Sequence, residues 1–177
     1  MESKQEIRRR MRQLNRAMEP ATRASVSARI IARIEALKPF SEARTVALFS
    51  SLPDEPDTTL ALERWSYTKQ LVVPRVEGEV MHFYPYHPEQ MALGSFGIHE
   101  PQQLEAISPK EIDLMVVPGV AFTPKGARCG RGKGFYDKYL AQLNPACHKV
   151  GICYRHQLLG ELPTELHDIC MEEVIAE

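Results

Sequence analysis

A strand, a glycine-rich loop and a helix follow one another along residues 112–143, and this segment constrains the fold more than any other. Residues 112–117 form an almost unbroken apolar run of strand length, which Pro118 and Gly119 end. From Phe135 onward, aromatic and aliphatic side chains recur at the spacing of one helical face. We therefore predict a buried strand that leads through a loop into a helix.

The loop between them has the composition of an anion-binding site. It interleaves four glycines with four cations: Gly126, Gly130, Gly132 and Gly134 with Lys125, Arg128, Arg131 and Lys133. Glycine permits positive φ, so successive N–H groups can point into one concavity, and the cations add charge for phosphate oxygens. The N-terminus of the following helix contributes its positive dipole end. The loop therefore predicts a phosphate cradle, with a flexible solvated surface loop as the alternative.

The glycine spacing excludes two common phosphate-binding motifs. Lys133 precedes Gly134 rather than the Ser or Thr of a Walker A loop. The dinucleotide-binding fingerprint is also absent, because the glycines run directly into Phe135. Asp137 falls in the first turn of the helix, where a carboxylate is favoured in any case, and it can also hold Mg²⁺ against a bound polyphosphate.

Composition and charge place the chain among globular proteins. Its 177 residues are 44% apolar and 25% charged, which is enough for the core of one domain. The net charge of −1 gives no nucleic-acid-like electrostatic footprint. Neither a signal peptide nor a membrane-spanning stretch is recognisable. The four cysteines lack zinc-site spacing, and scattered thiols suggest a reducing cytosol, so we expect a cytoplasmic protein.

Positive charge is concentrated in residues 1–38, which carry ten Lys and Arg against four acids. Ser3 and Glu6 form a capping-box pattern that predicts the start of an amphipathic helix. A second helix is predicted to begin near Pro20 and to end at Pro39. Most of these cations are expected to lie on solvated helix faces.

Polar groups elsewhere are candidates for ligand contacts. Lys4 and Arg8 are one helical turn apart and could hold a phosphate together, although solvation is the favoured alternative for them. Residues 45–49 predict a strand, and the polar loop at residues 50–57 follows it. Loops at the carboxyl ends of parallel strands often bind ligands, so Glu55 could hydrogen-bond a donor-rich ligand. Turn chemistry is the favoured alternative for this residue.

The remaining elements follow from the same patterns. We predict a helix over residues 58–65 and strands over residues 70–76, 80–84, 150–154 and 174–176, with Pro74 breaking the strand that contains it. Residues 93–101 predict a loop that either walls a pocket for a flat ring or closes the core. Strands that alternate with helices favour an α/β layered sheet, with the ligand across the carboxyl ends of the strands.

Five segments that cover nearly the whole chain carry a resemblance to a known family. They are residues 4–8 (KQEIR), 50–55 (SSLPDE), 93–101 (LGSFGIHEP), 118–137 (PGVAFTPKGARCGRGKGFYD) and 163–168 (PTELHD). In these segments and their order, the chain resembles the 5-formyltetrahydrofolate cyclo-ligases, also called 5,10-methenyltetrahydrofolate synthetases. Two departures from the family pattern are mild, because Cys129 replaces an apolar residue and Phe135 replaces a tyrosine.

The resemblance implies a fold and an activity. The fold would be a single α/β domain, residues 1–177, with a mostly parallel open sheet, helices on both faces and the basic two-helix segment packed on it. The activity would be the ATP- and Mg²⁺-dependent closure of 5-formyltetrahydrofolate to 5,10-methenyltetrahydrofolate, with release of ADP and phosphate. ATP would phosphorylate the formyl oxygen, which N10 then displaces. We expect a monomer that acts on small molecules and has no nucleic-acid or membrane partner.

The resemblance also implies roles for individual residues. The positions that match ATP-binding residues are Lys4, Arg8, Arg128, Gly130, Arg131, Gly132, Lys133, Gly134, Phe135 and Tyr136. The positions that match folate-contacting residues are Ser50, Glu55, Arg131, Gly132, Lys133, Gly134 and Phe135. Asp137 and Asp168 match Mg²⁺ ligands. Arg131 and Lys133 are the predicted catalytic residues, with Lys133 closest to the transferring phosphoryl group.

Two other classes of function stay open at the level of the sequence. A phosphosugar-processing enzyme could use the same cradle without ATP, and would need a Glu or Lys base near the strand ends. A non-catalytic protein could bind RNA or another anion through residues 4–38. These helices contain no aromatic residue, so bases would have no stacking platform.

Overall fold

The computed structural model of the protein describes residues 1–94, 97–102 and 105–177. The helices are α1 (Lys4–Arg16), α2 (Pro20–Glu35), α3 (Lys38–Glu42), α4 (Thr59–Trp65) and α5 (Phe135–Leu140). The strands are β1 (Thr45–Ala47), β2 (Gln70–Glu77), β3 (Val80–Pro85), β4 (Met91–Leu93), β5 (His99–Pro101), β6 (Leu114–Val117), β7 (Ala121–Phe122), β8 (Arg128–Cys129), β9 (His148–Cys153) and β10 (Glu173–Ala176). The predicted capping box of Ser3 and Glu6 starts α1.

Six strands form the central sheet in the order β10-β9-β6-β1-β2-β3. Neighbouring strands are parallel except β2 and β3, which pair antiparallel. The prediction of a mostly parallel sheet is therefore confirmed. The chain runs from β1 outward to β2 and later places β6 on the other side of β1. This reversal makes the carboxyl ends of β1 and β6 a topological switch point, where open α/β sheets bind ligands.

Apolar side chains cover both faces of this sheet. Helices α2 and α4 pack on one face through residues such as Ile34 and Trp65, and α5 packs on the other through Leu140. Helix α1 packs Ile7 and Met11 against the short β7–β8 hairpin in a third cluster. In the residues that the structure describes, no helix has the length and apolar character that a membrane span requires.

Pro74 does not break β2, so that prediction is wrong. The strand continues through Pro74, which lies opposite Phe83 of β3. The N–H of Tyr86 donates to the Leu71 carbonyl at 2.8 Å, which marks a hydrogen-bonded pair of this ladder. Because such pairs alternate with non-hydrogen-bonded ones, Pro74 and Phe83 form a pair that uses no ladder hydrogen bond. The missing N–H of proline therefore leaves the β2–β3 ladder intact.

Several other elements also differ from the sequence prediction: β1 ends at Ala47, β9 begins at His148, and the predicted loop at residues 93–101 contains β5. Helix α2 ends at Glu35, and Pro39 lies in the first turn of the separate helix α3, where a residue without an N–H is tolerated. The predicted loop after β6 contains the β7–β8 hairpin. Helix α5 ends at Leu140, so Leu143 packs into the core beyond it.

Gly126 turns the β7–β8 hairpin and docks it on the C-terminal part of the chain. Its φ is +90°, and its carbonyl oxygen accepts a hydrogen bond from the Met171 N–H at 2.9 Å. A Cβ at this position would clash with the carbonyl oxygen of Met171. The hairpin therefore requires glycine both for its backbone conformation and for its close approach to Met171.

We expect Gly126→Ala to lower the free energy of unfolding by at least about 3 kcal/mol, because backbone strain and the steric clash add. Gly78→Ala is the matched control, since Gly78 has a φ of +64° but no atom within 4 Å of an added Cβ. That variant should lose only about 1 kcal/mol, from strain alone. Denaturant unfolding measures both, and equal losses would show that the contact with Met171 does not matter.

Candidate active site

The loop after β1 presents Glu55 at the switch point. The residue is 8% exposed, and its Oε2 accepts a hydrogen bond from the Leu52 N–H at 2.8 Å. Its carbonyl oxygen accepts hydrogen bonds from Arg23 Nε and from the Tyr154 hydroxyl, each at 3.0 Å. Burial raises the pKa of Glu55, and the positive charge of Arg131 opposes that rise. A buried, rigidly held carboxyl with a perturbed pKa is typical of a functional site.

Arg131 joins the glycine-rich loop to the loop after β1. Its Nη2 donates to Asp54 Oδ1 at 2.8 Å and to Glu55 Oε1 at 3.2 Å. The structure therefore brings together Arg131 and Glu55, two of the residues that the sequence analysis assigned to the site. The Arg131 side chain is 41% exposed, and it lines a cleft together with Arg8, Asp54, Glu55 and Gln157.

The glycine-rich loop, residues 130–134, lies against Arg8 of α1. Arg8 Nε donates to the carbonyl oxygen of Gly130 at 2.8 Å. Gly132 has a φ of +105°, and a Cβ added there would lie 3.4 Å from Arg8 Cζ. Gly134, with a φ of +75°, precedes the first residue of α5. The predicted use of glycine for positive φ is confirmed at Gly132 and Gly134.

Arg128 lies beneath this loop. Its side chain is 6% exposed, its Nε donates to the Pro118 carbonyl at 2.7 Å, and its Nη1 donates to Asp137 Oδ1 at 3.3 Å. The guanidinium also lies 5.3 Å from the ring centroid of Tyr136. Burial lowers the pKa of Arg128 and Asp137 opposes this effect, but a guanidinium stays charged in a protein. Arg128 is therefore a fixed positive charge under the loop.

Lys4 contacts the late loop that carries Asp168. Its Nζ lies 3.1 Å from Glu165 Oε1 and 3.7 Å from Asp168 Oδ2. Among the residues described, one ligand atom each of Glu165, His167 and Asp168 lies within 4.8 Å of the others. Helix α1 and this late loop are thus in contact, although they are far apart in the sequence.

The carboxylates around the loop fit a magnesium ion by their chemistry. Mg²⁺ prefers carboxylate and water oxygens, and both Asp137 and Asp168 offer them. Each of these aspartates faces a cation, Arg128 for Asp137 and Lys4 for Asp168. Asp137 follows the glycine-rich loop in the first turn of α5, and Asp168 lies in the late loop that contacts α1.

Lys133 extends from the loop toward solvent. It is exposed, and it makes no hydrogen bond or ion pair within the part of the chain that the structure describes. Phe135 and Tyr136, which follow it, pack against the apolar cluster on the α5 face of the sheet. The end of the loop is therefore anchored, while its lysine is available to a ligand.

A cavity of about 350 Å³ opens beside Ser50, on the other side of the loop after β1. Tyr86 and Ile98 contribute apolar surface to its lining. The segment at residues 93–101 was predicted to wall a pocket or to close the core, and its Ile98 lines this cavity. Residues 95–96 lie outside the described part of the chain.

Sequence reasoning missed several residues of this site, among them Arg23, Asp54, Tyr154 and Gln157. Tyr154 ends a predicted strand, so its place at the ligand-binding edge could have been inferred. Asp54 directly precedes Glu55 in a segment already singled out. Arg23 belongs to a helix whose cations were expected to be solvated, and no local pattern distinguishes it from them.

Comparison with known proteins identifies the family. Residues 1–177 match the 5-formyltetrahydrofolate cyclo-ligase family. The chain belongs to this family. The family resemblance and the enzyme class predicted from the sequence are thereby confirmed.

Individual relatives agree with this assignment. The 5-formyltetrahydrofolate cyclo-ligase of Escherichia coli K12 is 31% identical over 174 residues, which cover 93% of this chain and 95% of the relative. The protein of the same name from Mus musculus is 27% identical, with 99% of this chain and 94% of the relative covered.

Solved structures share the fold of this cyclo-ligase family member. The 5,10-methenyltetrahydrofolate synthetase of Aquifex aeolicus has a TM-score of 0.88 at 32% identity, covering 98% of this chain and 89% of that chain. The synthetase of Mycoplasma pneumoniae, at 24% identity, has a TM-score of 0.80 with 98% of both chains covered and supports the fold alone.

Glu55→Gln should change how stability depends on pH. Because the pKa of Glu55 is raised above its ordinary value of 4.5, ionising it costs the folded chain more than the unfolded chain. The wild type therefore loses stability relative to Glu55→Gln as the pH rises above the ordinary carboxyl pKa of 4.5. Thermal unfolding across this range measures the difference. A Glu55→Gln variant that became less stable relative to the wild type as the pH rose would contradict the assignment.

Proposed function

We propose that this cyclo-ligase closes 5-formyltetrahydrofolate to 5,10-methenyltetrahydrofolate with ATP and Mg²⁺, releasing ADP and phosphate. The observation that carries the proposal is the position of the glycine-rich loop at the switch point, where Arg131 touches Glu55. At this point a loop that is suited to bind phosphate lies next to the Glu55 carboxyl, which is suited to accept hydrogen bonds from a ring rich in N–H donors. Family membership favours this reaction over the phosphosugar and RNA-binding alternatives.

The chemistry requires a phosphoryl donor. The formyl group on N5 is a formamide, so it is a poor electrophile, and its oxygen is a poor leaving group. Transfer of the γ-phosphoryl group of ATP to that oxygen forms an imidate-like phosphate. N10 then attacks the activated carbon, and the C–O bond breaks to release inorganic phosphate. The protein has no covalent step to perform, so alignment and charge neutralisation dominate catalysis.

The residues around the loop are suited to hold ATP. The backbone N–H groups of residues 130–134, with Arg8, Arg131 and Lys133, would bind the phosphate oxygens. Arg128 contributes a fixed charge from below, where it is buried against Asp137. Helix α5 has only six residues, so its dipole adds little and the side-chain charges carry most of the stabilisation. Asp137 and Asp168 would hold Mg²⁺, which would neutralise phosphate charge.

The folate would lie along the loop after β1. Glu55 would accept hydrogen bonds from the pterin ring, because its Oε1 faces the cleft beside Arg131. The cavity beside Ser50, with Tyr86 and Ile98 in its wall, would receive the flat aryl ring attached to N10. The formyl group would then lie at the boundary between the folate side and the phosphate loop.

The direct test is the near-ultraviolet absorbance that methenyltetrahydrofolate gains over 5-formyltetrahydrofolate. We expect the absorbance to rise when the protein is mixed with 5-formyltetrahydrofolate, ATP and Mg²⁺. Omission of ATP, or chelation of Mg²⁺, should abolish the rise. A complete mixture without any rise would refute the proposed activity, and a rise without ATP would refute the phosphorylation step.

Lys133→Met should raise the barrier of the chemical step by at least about 2 kcal/mol, which slows it roughly thirtyfold, through the loss of one cation beside the transferring phosphoryl group. Lys125→Met is the matched control, because Lys125 is also exposed and precedes Gly126 at the hairpin turn. Single-turnover measurement at saturating ATP separates the chemical step from ATP binding. Near-normal turnover of Lys133→Met would show that another group contacts the transferring phosphoryl group.

A further inference from the structure

The segment after β9 contacts both loops of the active site from beneath. The Tyr154 hydroxyl donates to the carbonyl oxygen of Glu55 at 3.0 Å. Three residues later, Gln157 Nε2 donates to the carbonyl oxygen of Val120 at 2.9 Å and lies 3.3 Å from that of Gly119. One short segment therefore holds the loop after β1 and the start of the loop after β6 at a defined separation.

Tyr154 is itself rigidly placed. It is 1% exposed, and its N–H donates to Gln157 Oε1 at 2.8 Å. Its ring stacks on His156 with a centroid distance of 5.7 Å and an interplanar angle of 22°. Rotation of the ring away from Glu55 would take this partner from a buried hydroxyl and would remove one of the two hydrogen bonds that the Glu55 carbonyl accepts, which is costly.

Helix α2 completes the support of Glu55. Arg23 Nε donates to the same carbonyl oxygen at 3.0 Å, so both lone pairs of that oxygen are used. Arg23 Nη2 also donates to the Leu52 carbonyl at 3.3 Å, and Ser27 Oγ accepts from the Asp57 N–H at 2.8 Å. The turn that carries Glu55 is therefore fixed at both of its ends and at its centre.

Because the turn is held in place, the carboxyl group of Glu55 also has a fixed orientation. Glu55 Oε2 is occupied by the Leu52 N–H, which leaves Oε1 facing Arg131 and the cleft. We propose that Tyr154 is a positioning residue that sets the orientation of Glu55 toward the folate through the Glu55 carbonyl. This inference rests on the proposed function of Glu55 in folate binding. A small displacement of a substrate-holding group lowers activity far more than it lowers stability.

The test is a double-mutant cycle on the dissociation constant of 5-formyltetrahydrofolate, measured by calorimetry with the full chain. Tyr154→Phe removes only the hydroxyl. We expect it to weaken folate binding about tenfold in the wild-type background and less than about twofold in the Glu55→Gln background. The KM for ATP should stay unchanged, because the hydroxyl does not touch the phosphate loop.

A matched control separates positioning from general stability. Tyr67→Phe removes the same hydroxyl from a residue that is 84% exposed, and it should leave folate binding and turnover unchanged. If Tyr154→Phe is insoluble, Arg23→Met removes the other hydrogen bond to the same carbonyl from a partly exposed helix position and enters the same cycle.

Three results would overturn the inference. They are unchanged folate affinity in Tyr154→Phe, an equal loss in both backgrounds, and an ATP KM that rises together with the folate dissociation constant. Failure of the proposed function would give a different result from failure of this inference, because the wild type itself would then neither bind nor cyclise 5-formyltetrahydrofolate.

Discussion

The parallel pairing of β1 with β6 is the constraint on which the site depends. Val46 lies opposite Leu114 and Ala47 opposite Met115 in this ladder. Both strands are buried on both faces, so a register shift of one residue would move each side chain out of the layer it packs in and into the opposite one, which is disfavoured. The two loops that leave these strands must then start side by side at one edge of the sheet. The meeting of Glu55 and Arg131 follows from this pairing.

Charge around the glycine-rich loop is arranged before any ligand binds. Arg8 is held by the Gly130 carbonyl, Arg128 by Asp137, and Arg131 by Asp54 and Glu55. Oriented charges of this kind need little reorganisation when phosphate charge develops, which is the main source of electrostatic catalysis.

Much of the fold was predictable from local pattern. The buried strand β6, the glycine-rich loop and the start of α5 follow from apolar runs, glycine placement and helical spacing within one segment. The N-terminal capping box was also predictable from residues close in the sequence, since Ser3 and Glu6 are three residues apart. Pro74 was misjudged because the cost of proline in a strand depends on which ladder position it occupies, and the partner strand decides that.

The contacts that complete the site are long-range, and the sequence alone could not supply them. Lys4 meets Asp168 only because α1 packs on the β7–β8 hairpin, which no pattern indicated. Tyr154 reaches Glu55 because β9 lies beyond β6 in the sheet. The family resemblance named Glu55 and Arg131 as neighbours of one substrate, but it gave no account of what holds them in place.

The central claim is that residues 130–134 bind the terminal phosphates of ATP beside the folate. A crystal structure with Mg²⁺, a non-hydrolysable ATP analogue and 5-formyltetrahydrofolate tests it most directly. The account predicts the terminal phosphates within hydrogen-bond distance of the loop N–H groups, with Arg131 turned from Asp54 toward them. A nucleotide bound elsewhere, with this loop facing bulk solvent and Arg131 still paired with Asp54, would contradict it.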